Sequence, residues 1–93
     1  MTIIFVSHKV RDYDGWLVGY NADAERRQEN GLTEAGHFHK CDDRNNFFIV
    51  WNTEMSRSEA EGLVKEMFNN PELEAWMEEA GVLEKPNFWV AVA

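Results

Sequence analysis

A single cysteine, Cys41, stands in 93 residues. An internal disulfide needs two thiols, so no covalent staple holds this chain, and a lone thiol fits a reducing compartment. Basic residues are also scarce, with nine Lys and Arg against seventeen Asp and Glu and a formal net charge of -8. A surface that neutralises phosphates needs clustered cations. The expected partners therefore include neither nucleic acid nor an anionic membrane. The opening decapeptide MTIIFVSHKV has no basic segment before its apolar run and no small-residue cleavage site after it, which gives cytoplasmic localisation as the expectation. That run is too short to span a bilayer. There is no Gly-rich phosphate loop, and no nucleophile signature surrounds Cys41.

What is present is apolar mass. The chain is 44% hydrophobic and carries four Trp, enough for one domain over residues 1–93 to build a core without staples. Thr2 to Val10 is dense in Ile, Phe and Val and reads as a strand. Asp12 caps a helix whose inner face carries Tyr13, Trp16, Leu17, Tyr20 and Ala24, and Asn30-Gly31 stops it. Leu32 to Cys41 reads as a strand, Asp42 to Asn45 as a polar turn, and Asn46 to Thr53 as the second arm of a hairpin. Ser56 and Glu59 form a capping box for a helix with Ala60, Leu63, Val64, Met67 and Phe68 inward. Asn70-Pro71 starts a short helix with Leu73, Trp76, Met77 and Ala80 inward, closed by Gly81. Pro86 precedes a last strand, Asn87 to Ala93. The order βαββααβ predicts an α+β, ferredoxin-like fold: a four-stranded antiparallel sheet with helices on one face.

A sheet with one wet face alternates apolar and polar residues. These strands do not. Phe47, Ile49 and Trp51 oppose Phe48 and Val50, Ile3 and Phe5 oppose Ile4 and Val6, and Phe88, Val90 and Val92 oppose Trp89 and Ala91. Helices cover one face only. The expected cover for the other is a second copy, sheet against sheet, in a two-fold homodimer.

The stretch GHFHKC, Gly36 to Cys41, sets His37, His39 and Cys41 at alternate positions of an extended chain. Neutral imidazoles suit zinc, copper or iron, but a site needs three or four ligands. In the predicted topology the third strand separates this one from His8, so no third ligand is at hand. The expectation is no metal, with His37 and His39 on the dimer-facing side or on a pocket rim. His8 ends the first strand on the face of Ile4 and Val6. An imidazole titrates near neutrality, which makes His8 the candidate catalytic base. A structural histidine at a strand end is the plainer alternative.

His8-Lys9-Val10-Arg11-Asp12-Tyr13-Asp14-Gly15-Trp16 resembles the start of small proteins of the dimeric α+β barrel superfamily. Asn70-Pro71-Glu72-Leu73, Met77 to Val82, the Asp42-Asp43 turn and the Pro before the last strand fit the same pattern. The likeness spans nearly the whole chain and is nearest to short proteins grouped with antibiotic biosynthesis monooxygenases. It implies a pocket between helices and sheet in each subunit, where oxygen oxidises an aromatic or polyketide-like molecule with no cofactor. Tyr13, Trp16, Tyr20 and Trp76, with His37 and His39 at the rim, are then the candidate substrate-binding residues, core packing being the alternative for the four aromatics. Haem is disfavoured, because relatives that hold it use a histidine on a helix and all three here fall outside the predicted helices. The superfamily also includes cyclases and stress-response proteins, so a non-catalytic ligand-binding or stress-associated dimer stands beside the oxygenase or cyclase-like enzyme.

Overall fold

The computed structural model describes residues 1–93. The elements run β1 (Thr2–Lys9), α1 (Tyr13–Ala22), α2 (Ala24–Glu29), β2 (Thr33–Lys40), β3 (Asp43–Thr53), α3 (Arg57–Phe68), α4 (Pro71–Glu79) and β4 (Asn87–Val92). The sheet is antiparallel in the order β2-β3-β1-β4. Helices α1, α3 and α4 lie against one face, as the ferredoxin-like reading expects, while α2 buries no side chain.

Two boundaries differ from the sequence reading. The single helix expected from Asp12 to Asn30 is two. At Asp23 (φ -94°, ψ 6°) the backbone N–H donates to both the Gly19 and Tyr20 carbonyls, each at 3.2 Å. The Asp23 carboxylate also takes Arg26 Nε at 2.9 Å. The chain restarts there as α2, the Asp23 carbonyl accepting from Arg27 N–H at 3.3 Å. The turn expected over Asp42 to Asn45 narrows to Cys41 and Asp42, because Asp43 already pairs with Lys40.

The helix starts follow their sequence signals. Asp12 Oδ2 accepts from Gly15 N–H at 3.2 Å, Ser56 Oγ from Glu59 N–H at 3.2 Å, and Asn70 Oδ1 from Glu72 N–H at 2.9 Å with Pro71 in the first turn. Each side chain satisfies a donor that the first helical turn leaves free. Gly31 and Gly81 have φ of 78° and 87°, the left-handed conformation that ends a helix cheaply only at glycine.

The inner face of the sheet presents Ile4, Val6, Phe47, Ile49 and Trp51, which meet Tyr13, Trp16, Tyr20, Ala60, Val64, Phe68 and Met77 from the helices. The outer face has no helix. Phe48, Phe38 and Trp89 are 42%, 51% and 73% exposed there. Phe38 stacks on Phe48 at 5.2 Å between centroids, and Phe5 links Phe48 to Trp89 at 6.5 and 6.4 Å. A Cβ on Gly36 would stand 2.5 Å from the Phe38 ring, so glycine is what lets Phe38 lie across β2. A groove of about 470 Å³ opens beside Phe5, Phe48 and Trp89. The expectation of two apolar faces and one helical layer therefore holds. Of the pair Ile49 and Val50, Ile49 points to the helices, while Val50 pairs with Phe5 and Gly36 on the uncovered side.

One irregularity positions the site. Glu34 pairs with Trp51, but Gly36, not Ala35, pairs with Val50. Ala35 is an extra residue in β2, a bulge. Beyond it the alternation is reset, so His37 opposite Ile49 and His39 opposite Phe47 share the inner face with Glu34.

Candidate functional site

The predicted residues separate into two neighbouring groups, with Phe47 between His8 and the β2 histidines. His8, Trp16, Tyr20 and Trp76 come together in the seam between α1, α4 and the sheet. Tyr13, His37 and His39 gather at the start of α1 beside β2.

The seam holds a cavity of about 40 Å³ bordered by His8, Trp16, Tyr20, Trp51, Leu73 and Trp76, among others. Trp76 reaches it by crossing α1 at Gly19, where a Cβ would lie 2.8 Å from the indole. That volume admits water and falls far below the ~300 Å³ of a small-molecule pocket. His8 is 8% exposed and packed between Trp16 and Phe47, at 5.2 and 5.5 Å between ring centroids. Its Nδ1 and the Trp16 Nε1 are buried without a hydrogen-bond partner. A buried group that nothing else meets costs ~1–3 kcal/mol, and both residues border the same void. Burial, and then the neighbouring His37, lower the His8 pKa from 6.5 to about 4. The imidazole is therefore neutral at physiological pH: it is free to accept a hydrogen bond but holds a proton weakly.

The second group is a continuous hydrogen-bonded array. Trp51 Nε1–H donates to Tyr20 Oη at 3.0 Å, and Tyr20 donates to Glu34 Oε1 at 3.0 Å. His37 Nδ1 lies 3.0 Å from the same oxygen, and His37 Nε2 lies 3.0 Å from Tyr13 Oη. An ionised Glu34 can only accept, so His37 carries its proton on Nδ1. Its Nε2 lone pair then receives the Tyr13 O–H. Burial raises the Tyr20 pKa to about 12. Burial also raises that of Tyr13, against the opposing pull of Arg44. Aromatic neighbours hold the array in place: His39 meets the Tyr13 ring edge-on at 4.3 Å and Phe47 at 5.1 Å. The Arg44 guanidinium stands 5.0 Å over the Tyr13 ring and pairs with Asp14 at 2.9 Å. Arg27 covers Tyr20 at 3.5 Å.

The two histidines of GHFHKC thus occupy the helix-facing side of β2, opposite Ile49 and Phe47. His37 spends both ring nitrogens on Glu34 and Tyr13, and His39 Nδ1 donates to the Arg44 carbonyl at 2.8 Å. Cys41 leaves their face at the turn and is exposed. All three histidines lie on strands, and β3 separates His8 from the other two.

Sequence reasoning missed Glu34 and Trp51 as site residues. Trp51 shares the parity of Phe47 and Ile49, so its direction was legible; that its N–H would anchor Tyr20 was not. Glu34 and His37 differ by three positions, which puts them on opposite faces of a regular strand. Only the bulge at Ala35 unites them.

No family model matches the chain, and no curated protein matches it. Solved structures do. A NIPSNAP domain protein from Burkholderia xenovorans is 12% identical over 100% of this chain and 94% of its own, with a TM-score of 0.63. An antibiotic biosynthesis monooxygenase is 10% identical over 100% and 98%, TM-score 0.60. A dimeric ferredoxin-like protein from an uncultured marine organism is 10% identical over 100% and 94%, TM-score 0.60. At these identities the likeness is one of fold: the chain is built on a ferredoxin-like α+β architecture.

Proposed function

We propose that this chain forms a sheet-to-sheet homodimer whose subunits each bind a small, flat, hydroxylated aromatic or polyketide-like molecule in the helix–sheet seam. The reaction that fits is oxygenation or cyclisation of that molecule without a cofactor. The observation that carries the reading is that His8 and Trp16, whose Nδ1 and Nε1 are buried without a protein hydrogen-bond partner, both border one void with Tyr20, Trp51 and Trp76. A ligand oxygen placed there would satisfy both, while Trp16, Tyr20, Trp51 and Trp76 sandwich its ring. His8 is the residue proposed to touch the reacting hydroxyl. Tyr13, His37 and His39 would form the rim.

The homodimer is supported by the uncovered aromatic face and by the dimeric ferredoxin-like neighbour. Cys41, exposed and unpaired, supports the cytoplasm as the compartment. No helix is long and apolar enough to cross a membrane.

A specific observation favours a second reading, a non-catalytic ligand-binding dimer. The void is about 40 Å³, so an aromatic ring enters only if the side chains lining it move apart. The deciding experiment titrates a naphthol or quinol into the protein while following tryptophan fluorescence, then measures oxygen consumption. Quenching with turnover that His8→Ala abolishes supports the enzyme. Quenching without turnover leaves the binding dimer. No quenching removes both ligand readings.

A further inference from the structure

We infer that Tyr13, His37 and Glu34 form a proton-accepting site for a weakly acidic hydroxyl, such as that of a phenol or enol, on the other side of Phe47 from His8. The inference takes its ligand class from the function proposed above but locates ionisation in a different place. Three features of the array point there. Its order is carboxylate, imidazole, phenol, with every link at 3.0 Å. The Tyr13 oxygen makes one hydrogen bond only, so a lone pair remains to receive a ligand O–H. Glu34, although its side chain is 41% exposed, is fixed by two donors on one oxygen, Tyr20 and His37. Tyr20 is in turn held by Trp51. A surface carboxylate with no further role has no need of a pinning chain that starts in the core.

The step balances without a co-reactant. The ligand O–H bond breaks and its proton passes to the Tyr13 oxygen. The proton already on Tyr13 moves to His37 Nε2. The ligand becomes an oxyanion and His37 an imidazolium, whose Nδ1–H stays bonded to the Glu34 carboxylate. The charge created on each side has a partner: Glu34 faces the imidazolium, and Arg44, 5.0 Å over the Tyr13 ring, flanks the oxyanion. Tyr13 is the group that touches the ligand, His37 takes the proton through it, and Glu34 is a positioning residue. The other charged or titratable groups around the array are Asp14, Tyr20, Arg27, His39 and, across Phe47, His8.

The test uses para-nitrophenol, whose ionised form has its own absorption band, at a pH where the free compound is mostly protonated. Binding is followed by tryptophan quenching and ionisation by the phenolate band, both at saturating ligand. The wild type should bind and show the band. Tyr13→Phe and Glu34→Gln, both near-isosteric, should still bind and melt cooperatively while the band falls at least tenfold. A ligand that binds the wild type without ionising, or a band that survives in both variants, overturns this inference and leaves the seam reading standing. Absence of binding to the wild type overturns both.

Discussion

Val50→Lys is the substitution that examines the assembly most directly. Its side chain lies on the uncovered sheet face, paired with Phe5 and Gly36. Phe38, Phe48 and Trp89 are 51%, 42% and 73% exposed on that face. With ~150–250 Å² per aromatic side chain, these three offer roughly 300 Å² per protomer and about twice that per dimer. At ~25 cal/mol per Å² this contributes about 15 kcal/mol. Association costs ~4–15 kcal/mol. Ile3, Phe5 and Val50 add further apolar area, so the balance favours the dimer. A two-fold axis places each substitution in the interface twice. Two unpaired ammonium groups buried there, at several kcal/mol each, exceed the surplus. Light scattering on a sizing column should therefore give twice the chain mass for the wild type and the single chain mass for Val50→Lys, with circular dichroism unchanged. Ile49→Lys, one residue away but 0% exposed against the helices, should instead fail to fold. A wild type that stays monomeric at micromolar concentration, or a Val50→Lys protein that stays dimeric, would refute the reasoning.

Three further outcomes are expected. Because burial lowers the His8 pKa from 6.5 to about 4, the unfolded chain takes up a proton that the folded chain refuses as the pH falls through that window. Stability should not vary with pH through His8 above the window and should decline by about 3 kcal/mol across it; denaturant melts of His8→Leu should lack that component, and an unchanged pH slope would count against the burial argument. His8→Leu should also gain ~1 kcal/mol at neutral pH, since an unpartnered polar atom disappears, while losing affinity for the naphthol; a variant that is less stable and binds normally would make His8 structural. Dialysis against a chelator should leave the melting temperature unchanged, because His37 and His39 are committed to Glu34, Tyr13 and the Arg44 carbonyl; a stoichiometric transition metal lost in His37→Ala would overturn this.

The fold was legible because its signals are local and agree with one another. The Asp12, Ser56 and Asn70 caps, the Gly31 and Gly81 stops, and the parity of Phe47, Ile49 and Trp51 each follow from a few adjacent residues. The split at Asp23 escaped because Asp is an ordinary residue on a helix's wet side, and only its backbone conformation (φ -94°, ψ 6°) marks the break. In the site, apolar residues on the inner faces of α1 and α4 had to meet the sheet, so Trp16, Tyr20 and Trp76 were readable as neighbours of His8. The Glu34–His37–Tyr13 array was not, because it depends on a single extra residue that reverses strand parity. Periodicity cannot find the position of a bulge whose residues, Glu34-Ala35-Gly36, carry no distinctive pattern.

The same bulge bears on how the molecule behaves when crowded. β2 and β4 are the two edges of the sheet, and each presents unpaired backbone groups to any chain that can lie alongside. An edge interrupted after two residues and twisted at Ala35 is a poor template for a further strand. The opposite edge has no such interruption. β4 pairs with β1 in unbroken register from Asn87 to Val92 and carries Trp89. Runaway strand addition should therefore begin at β4, and only its shortness of six residues works against it.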